Sequence, residues 1–177
     1  FWTFLIKDIE RVIRHAARLG LKPAIRLNGT TDVKWESTPV TKNGIRIANN
    51  IFELFPSVQF YDYTKYPYAK RPNSSLPANY HLTFSRSETN GADIAENLEN
   101  GRNVAVVFGI SSTSSAPLPA TWEDVPVLDG GLSDLRFKDA SGHVVGLKFK
   151  DSKGIGKATT KAQRMQDAID GGFVVKA

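Results

Sequence analysis

The sequence contains no cysteine. Disulfides, thiolate metal sites and a cysteine nucleophile are therefore excluded for these residues, and nothing in them argues for secretion. No apolar run approaches the roughly 18 residues that a membrane-spanning helix needs. These absences lead us to expect a cytoplasmic location with no membrane partner, and we predict no metal site from the residues present.

The composition is that of an ordinary soluble domain, with 177 residues of which 41% are hydrophobic and 23% charged. A chain of this length buries a core without metal or disulfide support, so we predict one domain over residues 1–177. The formal net charge of +5 suits polyanionic partners such as nucleic acid but is too small to establish them.

An amphipathic helix is predicted at the beginning of the chain. Apolar residues recur at helical spacing over residues 1–19, and Gly20 follows where a left-handed cap belongs. The pattern already runs at Phe1 without a capping residue, so we expect further native residues upstream. The opposite face carries four basic residues: Lys7, Arg11, Arg14 and Arg18. Two interpretations stay open, a solvated face and a stripe that contacts nucleic-acid phosphates.

The rest of the chain alternates strand and helix patterns. We predict a strand ending at Gly29, a helix over 45–55, strands over 58–64 and 80–85, a helix over 92–100, strands over 103–108 and 125–128, a hairpin from 135–138 and 143–149, a helix over 160–169 and a strand over 173–175. This order favours right-handed parallel crossovers. The sequence therefore predicts an α/β fold with a mostly parallel, curved sheet resembling an incomplete (β/α) barrel, with a late β-hairpin.

Three predicted strands carry apolar residues on one face and polar residues on the other. The polar sets are Arg26 and Asn28, then Gln59, Tyr61 and Tyr63, then His81, Thr83 and Ser85. An antiparallel sheet with one face in water would leave them solvated, whereas a curled parallel sheet would enclose them. Enclosed polar groups are costly unless they bind something, and we favour this second interpretation.

Candidate site residues cluster where the predicted strands end, since parallel sheets bind ligands beyond these ends. The ligand-binding candidates are Arg26, Asn28, Lys65, Ser85, Arg86 and Lys148, and the catalytic candidates are Asp32, Asp62, Glu88 and His81. The arginines suit a bidentate phosphate or carboxylate clamp, and the carboxylates suit a proton acceptor. For each residue alone, an ordinary structural ion pair is the alternative.

A second signal is weak. The segment from Gly154 to Lys157 is similar to the end of a phosphate loop, but the first glycine of that motif is missing, so we discount it.

Several strings in the chain resemble a family of phage and plasmid proteins related to the phage gene product 88 proteins. They include PAIRLNGTTD, NIFELFPSVQFYDYTK, NYHLTFSRSETN and VLDGGLSDLRFKD, and the resemblance covers nearly the whole chain. It implies a protein of a mobile genetic element in a bacterial host, without implying an activity. It also implies a Cys-rich upstream segment similar to iron–sulfur ligand clusters, so an iron–sulfur cofactor is expected only if such a segment precedes Phe1.

Two functional hypotheses follow. The first is an enzyme of a mobile genetic element that acts on, or is regulated by, a phosphate-bearing ligand such as a nucleotide. The alternative is a non-enzymatic accessory protein that binds nucleic acid or a host defence protein. The reaction, the substrate and the oligomeric state stay open.

Overall fold

The computed structural model describes residues 1–151 and 160–177. The chain divides into two compact units, which we call unit 1 (Phe1–Tyr63 and Arg71–Leu82) and unit 2 (Thr64–Lys70 and Thr83–Ala177). The phosphate-loop-like segment from Gly154 to Lys157 lies outside the described residues. The assignment of the whole chain to one domain stays a prediction.

Unit 1 begins with helix α1 (Trp2–Arg18), as the periodicity predicts. The helix ends in a Schellman arrangement, in which the Gly20 N–H donates to the Ala17 carbonyl and the Leu21 N–H donates to the Ala16 carbonyl. Gly20 has φ +65°, which a residue with a side chain rarely adopts. The predicted glycine cap is therefore confirmed.

Besides α1, unit 1 contains a short helix and a set of strands, two of which form a hairpin. In chain order they are β1 (Ala24–Ile25), β2 (Val40–Lys42), β3 (Ile45–Ala48), helix α2 (Ile51–Leu54), β4 (Gln59–Thr64) and β5 (Tyr80–Ser85), whose first three residues belong to unit 1. A 3-10 helix spans Trp35–Ser37 and another spans Asn73–Ser75. Strand β1 pairs with β4 in parallel, and β4 neighbours β5.

The predicted helix over 45–55 is wrong in its first half. Residues 45–48 instead form β3, which pairs antiparallel with β2. The connection is Asn43-Gly44, with φ of 52° and 79°, and this is the two-residue turn that favours a hairpin over a helix. The helix starts only after Asn50, whose side-chain oxygen accepts a hydrogen bond from the Glu53 N–H.

The core of unit 1 lies between α1, α2 and one face of the strands. Its buried members are Ile9, Trp35, Val40, Ile51, Phe52, Val58, Phe60, Tyr80 and Leu82. The rings of Phe52 and Tyr80 stack at 4.2 Å between centroids. Tyr80 therefore belongs to the apolar core through its ring while its hydroxyl is available to polar neighbours.

Unit 2 holds the larger group of strands. They are the last three residues of β5, then β6 (Val104–Ser111), β7 (Thr121–Trp122), β8 (Val125–Asp129), β9 (Val144–Phe149) and β10 (Val174–Val175), with helices α3 (Ile94–Glu99) and α4 (Lys161–Asp170). The order is β5-β6-β9-β8-β7, and β10 also pairs with β6. Every one of these pairings is parallel except that of β7 with β8. The predicted α/β class with a mostly parallel sheet is confirmed, and its barrel-like curvature stays a prediction.

A late β-hairpin exists, but its predicted position is wrong. The hairpin is β7 with β8, joined by Glu123 and Asp124 at φ 50° and 63°. Arg136–Lys138 forms a 3-10 helix, and β9 pairs in parallel with both β6 and β8. The run from Val144 to Phe149 is a central strand whose largely continuous burial is typical of parallel sheets.

In the two described stretches of the chain, no helix has the length and apolar character to span a membrane.

Candidate functional site

Unit 1 contains a group of buried or partly buried polar residues that we call the polar cluster. Its members are Asn28, Asp32, Trp35, Glu36, Asp62, Arg71 and Tyr80. The most enclosed ionisable residues are Asp62, with 0% of its surface exposed, and Arg71, with 1%. Buried charges are costly unless they are paired, so the contacts within the cluster decide what it can do.

Arg71 is the centre of the polar cluster. Its Nε and Nη2 donate to the two carboxylate oxygens of Glu36 at 2.6 and 2.7 Å, and its Nη1 donates to Asp32 Oδ1 at 2.9 Å. Nη2 also contacts the Tyr80 hydroxyl at 3.1 Å. This bidentate geometry with Glu36 uses the guanidinium internally, so Arg71 holds the chain together rather than presenting charge to a ligand.

The Tyr80 hydroxyl connects Arg71 to Asp62. It accepts from Arg71 Nη2 and donates to Asp62 Oδ2 at 2.9 Å. The other oxygen of Asp62 accepts the Asn28 backbone N–H at 2.7 Å. Each carboxylate oxygen of Asp62 therefore accepts a hydrogen bond. The bond from Asn28 fixes the segment that directly follows β1.

Asn28 organises the loop of residues 29–33. Its side-chain oxygen accepts from the Thr31 hydroxyl, the Val33 N–H and the Trp35 indole N–H, at 2.9, 3.1 and 2.9 Å. Its amide nitrogen donates to the Val33 carbonyl at 3.1 Å. One buried side chain thus closes the loop upon itself, which explains why Asn28 stands where the strand ends.

Burial perturbs two acids in this cluster. Desolvation raises the pKa of Asp62. The hydrogen bonds from Asn28 and Tyr80 and the charges of Arg26 and Arg71 act to lower this pKa, but desolvation outweighs them. Desolvation also raises the pKa of Tyr80, helped by the neighbouring Asp62 carboxylate. For Arg71 burial acts to lower the pKa, but the Glu36 contact and nearby negative charge outweigh it, and the pKa is raised.

The raised pKa of Asp62 predicts a pH-dependent contribution to stability. An acid whose pKa is raised by folding stabilises the fold fully below its unfolded value of about 3.9, and loses this contribution as the pH rises through the folded value. We expect the difference in unfolding free energy, wild type minus Asp62→Asn, to decline as the pH rises through that window.

Urea unfolding at a series of pH values from 4 upwards measures this difference. The variant removes the titrating group but keeps an oxygen that accepts the Asn28 N–H. A difference that grows with pH would contradict the prediction, because it would mean that the hydrogen bonds to Asp62 outweigh its desolvation.

Arg26 differs from Arg71 because it is exposed. Its Nε donates to the Asn28 carbonyl at 3.2 Å, and its guanidinium carbon lies 4.6 Å from the centroid of the Tyr63 ring. Two contacts therefore orient the guanidinium. Within residues 1–151 and 160–177, neither terminal nitrogen of Arg26 makes a hydrogen bond or an ion pair.

The structure brings four of the predicted site residues of unit 1 together, namely Arg26, Asn28, Asp32 and Asp62. Asp62 contacts Asn28, Asn28 contacts Arg26, and Asp32 joins them through Arg71. His81 lies half-buried in β5. The catalytic roles of Asp32, Asp62 and His81 and the ligand-binding roles of Arg26 and Asn28 stay predictions.

Arg86 and Lys148, two of the predicted site residues of unit 2, contact different parts of that unit. Arg86 Nη1 donates to the carbonyls of Gly172 and Phe173 at 2.8 and 3.0 Å, next to the end of α4, while Ser85 precedes it at the end of β5. Lys65 and Glu88 are exposed. Lys148 lies elsewhere and donates to the Ser114 carbonyl at 2.9 Å. The ligand-binding role of Lys65, Ser85, Arg86 and Lys148 and the catalytic role of Glu88 stay predictions.

The basic residues of α1 are on the solvent side of the helix, as the periodicity predicts. The side chains of Arg11 and Arg14 are 75% and 66% exposed and pair with Asp8 and Glu10 of the same helix. Lys7 and Arg18 are also exposed. The nucleic-acid role of Lys7, Arg11, Arg14 and Arg18 stays a prediction.

Sequence reasoning missed the residues that hold the polar cluster together. Arg71 lies 35 positions after Glu36 and 39 after Asp32, in a proline-rich stretch that gives no periodic signal. One signal in the sequence could have indicated this cluster. Glu36 is a charged residue that directly follows Trp35, at the end of the polar segment after β1. Among the described residues, no group of three or more His, Asp or Glu residues is arranged to hold a metal ion.

A protein-family model matches almost the whole chain. The family model described as Gene product 88 matches residues 1–170. No curated protein and no solved structure matches the chain.

Proposed function

The chain belongs to the Gene product 88 family of phage proteins, and on that premise we propose that it is an enzyme of a mobile genetic element, phage or plasmid. The enzyme acts on, or is regulated by, a phosphate-bearing ligand such as a nucleotide, and it works in the cytoplasm of the bacterial host. The observation that supports this proposal is the exposed, oriented guanidinium of Arg26.

Arg26 has the properties of a phosphate-binding arginine. The Tyr63 ring and the Asn28 carbonyl already fix its position, so little side-chain entropy is lost when a ligand arrives. The guanidinium is planar, and its two terminal nitrogens can donate hydrogen bonds side by side to two oxygens of a phosphate. Glu36 neutralises Arg71, whereas no described residue forms an ion pair with Arg26.

The loop next to Arg26 gives a ligand room to approach. Gly29, Thr30 and Thr31 are exposed, and a Cβ atom at Gly29 would meet no heavy atom within 4 Å. Asn28 holds this loop in one conformation through four side-chain hydrogen bonds. A fixed loop with open space beside an oriented cation suits binding of a ligand with a phosphate group.

The proposal gives two carboxylic acids of the polar cluster, Asp32 and Asp62, different roles. The Asp32 side chain is 27% exposed, so a substrate can reach it, and we assign it the role of proton acceptor. Asp62 is enclosed and has both oxygens occupied, so we assign it the role of positioning Asn28.

Substitution of Arg26 tests the proposal. We expect Arg26→Ala to weaken nucleotide binding by about 10- to 100-fold, since a charge-assisted contact of this kind is worth about 1.5–3 kcal/mol. Isothermal titration with ATP, GTP, CTP and UTP, and with adenosine as the ligand without phosphate, measures the loss. Arg46→Ala is the matched control, because Arg46 is also an exposed arginine of unit 1, and we expect it to bind like the wild type.

The outcomes separate the proposal from its main alternative. Failure of every nucleotide to bind, or equal binding by wild type and Arg26→Ala, would remove the phosphate-binding role. The four exposed basic residues of α1 favour the second candidate, a non-enzymatic protein that binds nucleic acid or a host defence protein. In that case a DNA fragment should bind with affinity that falls steeply with salt and is unchanged by Arg26→Ala.

A further inference from the structure

The turn at the carboxyl end of β6 holds two lysine side chains. Residues 111–114 form this turn, with the Ser114 N–H donating to the Ser111 carbonyl at 2.9 Å, and we call it the serine turn. The Ser112 N–H donates to the Phe149 carbonyl at 2.9 Å, which attaches the turn to the carboxyl end of β9. The serine turn therefore lies at the edge of a parallel sheet where ligands bind in α/β folds.

Both lysines contact the serine turn through uncharged oxygens. Lys161 Nζ donates to the Ser111 hydroxyl at 2.6 Å and to the Thr113 hydroxyl at 3.3 Å. Lys148 Nζ donates to the Ser114 carbonyl at 2.9 Å. Across the described part of the chain, neither lysine has a carboxylate partner. Within the described residues, the two ammonium groups at the turn therefore have no ion-pair partner.

The carboxylate that comes next in the chain after β9 is already paired. Asp151 follows β9 by two positions, and its two carboxylate oxygens accept from Arg164 Nε and Nη2 at 2.6 and 2.7 Å. A bidentate pair of this kind is the preferred arrangement for a carboxylate and a guanidinium. Asp151 is thus engaged with Arg164 and forms no ion pair with Lys148 or Lys161.

The hydrogen bonds of the Ser111 and Thr113 hydroxyls leave one hydroxyl proton that can donate to a ligand. Ser111 Oγ accepts from Lys161 and from the Thr113 N–H, which uses both of its lone pairs. In the 2.9 Å contact between the two hydroxyls, Ser111 is therefore the donor and Thr113 the acceptor. The Thr113 hydroxyl proton then has no acceptor among the described residues, and Thr113 is exposed.

We propose that the serine turn, with Lys148 and Lys161, is a binding site for the phosphate group of a small molecule. The donors that the site offers are the Thr113 hydroxyl, the third proton of Lys161 and two protons of Lys148. Several donors that include two ammonium groups favour an oxyanion. This site consists of unit 2 residues and is independent of the one that we assign to Arg26.

Amide chemical shifts in ¹⁵N-labelled protein test this site. Inorganic phosphate and AMP should each cause saturable shifts at residues 111–115, whereas adenosine and an equal ionic strength of chloride should not. Lys161→Met and Lys148→Met should each weaken phosphate binding about tenfold. Thr113→Val should weaken it by a smaller factor.

Two control variants make the result decisive. Lys138→Met removes an exposed lysine of unit 2 and should leave phosphate binding unchanged. Arg26→Ala should also leave the shifts at residues 111–115 unchanged, even if it abolishes nucleotide binding elsewhere. Shifts that do not saturate, an equal loss in Lys138→Met, or loss of the shifts in Arg26→Ala would each overturn the proposal.

Discussion

Replacing Arg71 with alanine is expected to lower the free energy of unfolding by about 3–5 kcal/mol. The substitution removes all contacts of the guanidinium with Glu36 and Asp32 and its contact with the Tyr80 hydroxyl. Glu36 would be left as a nearly buried carboxylate without its partner, and this uncompensated charge is the main part of the loss. Urea unfolding followed by circular dichroism measures it.

Two further variants show that the loss comes from the geometry of the pair. Arg71→Lys keeps the charge but cannot donate to both oxygens of Glu36, so we expect an intermediate loss of about 2 kcal/mol. Arg46→Ala removes an exposed arginine of unit 1 and should cost less than about 0.5 kcal/mol. A loss below 1 kcal/mol for Arg71→Ala would contradict the prediction.

The same contacts connect stability to the proposed ligand site. Arg71 holds Tyr80, Tyr80 holds Asp62, and Asp62 accepts the backbone N–H of Asn28. The carbonyl of Asn28 in turn accepts from Arg26. Since each step is a direct hydrogen bond, a variant at Arg71 should also weaken nucleotide binding, although Arg71 contacts no ligand in this proposal.

Local patterns predicted most of the fold because they have local causes. The apolar spacing of residues 1–19 and the glycine at position 20 predicted α1 and its cap. The apolar strings at 104–108 and 144–149 predicted strands, but the second pairs in parallel with β6 and β8 and not in the predicted hairpin. The helix predicted at 45–55 failed because Asn43-Gly44 specifies a hairpin turn, a signal that the apolar spacing of the following residues concealed.

The candidate site was predicted only in part, because its contacts are long-range. Arg26, Asn28, Asp32 and Asp62 were recognisable as polar residues where strands end. The partners of Asp32 and Asp62 were not, since Arg71 and Tyr80 are brought to them by the fold from 18 to 39 positions away. The sequence also did not predict Lys161 as a site residue, because its partners on the serine turn lie about 50 positions earlier.

Replacing Asn28 with alanine is expected to lower the free energy of unfolding by about 2–4 kcal/mol. The Trp35 indole N–H and the Val33 N–H would both lose their acceptor, and each buried donor without a partner costs about 1–3 kcal/mol. Thr31 and the Val33 carbonyl would also lose contacts, so the loop of residues 29–33 would lose its one conformation. Urea unfolding gives the free energy, and the tryptophan fluorescence, to which Trp2, Trp35 and Trp122 all contribute, should shift to longer wavelength as water reaches the Trp35 indole.

Asn49→Ala is the matched control for Asn28→Ala, because Asn49 is an exposed asparagine of unit 1 that contacts Glu53. Its loss should stay below about 1 kcal/mol. Asn28→Ala should also reduce nucleotide affinity under conditions where the variant is still folded, since the loop beside Arg26 is no longer fixed. Wild-type affinity in a folded Asn28→Ala protein would show that ligand binding does not depend on this loop, and the ligand would then contact Arg26 alone.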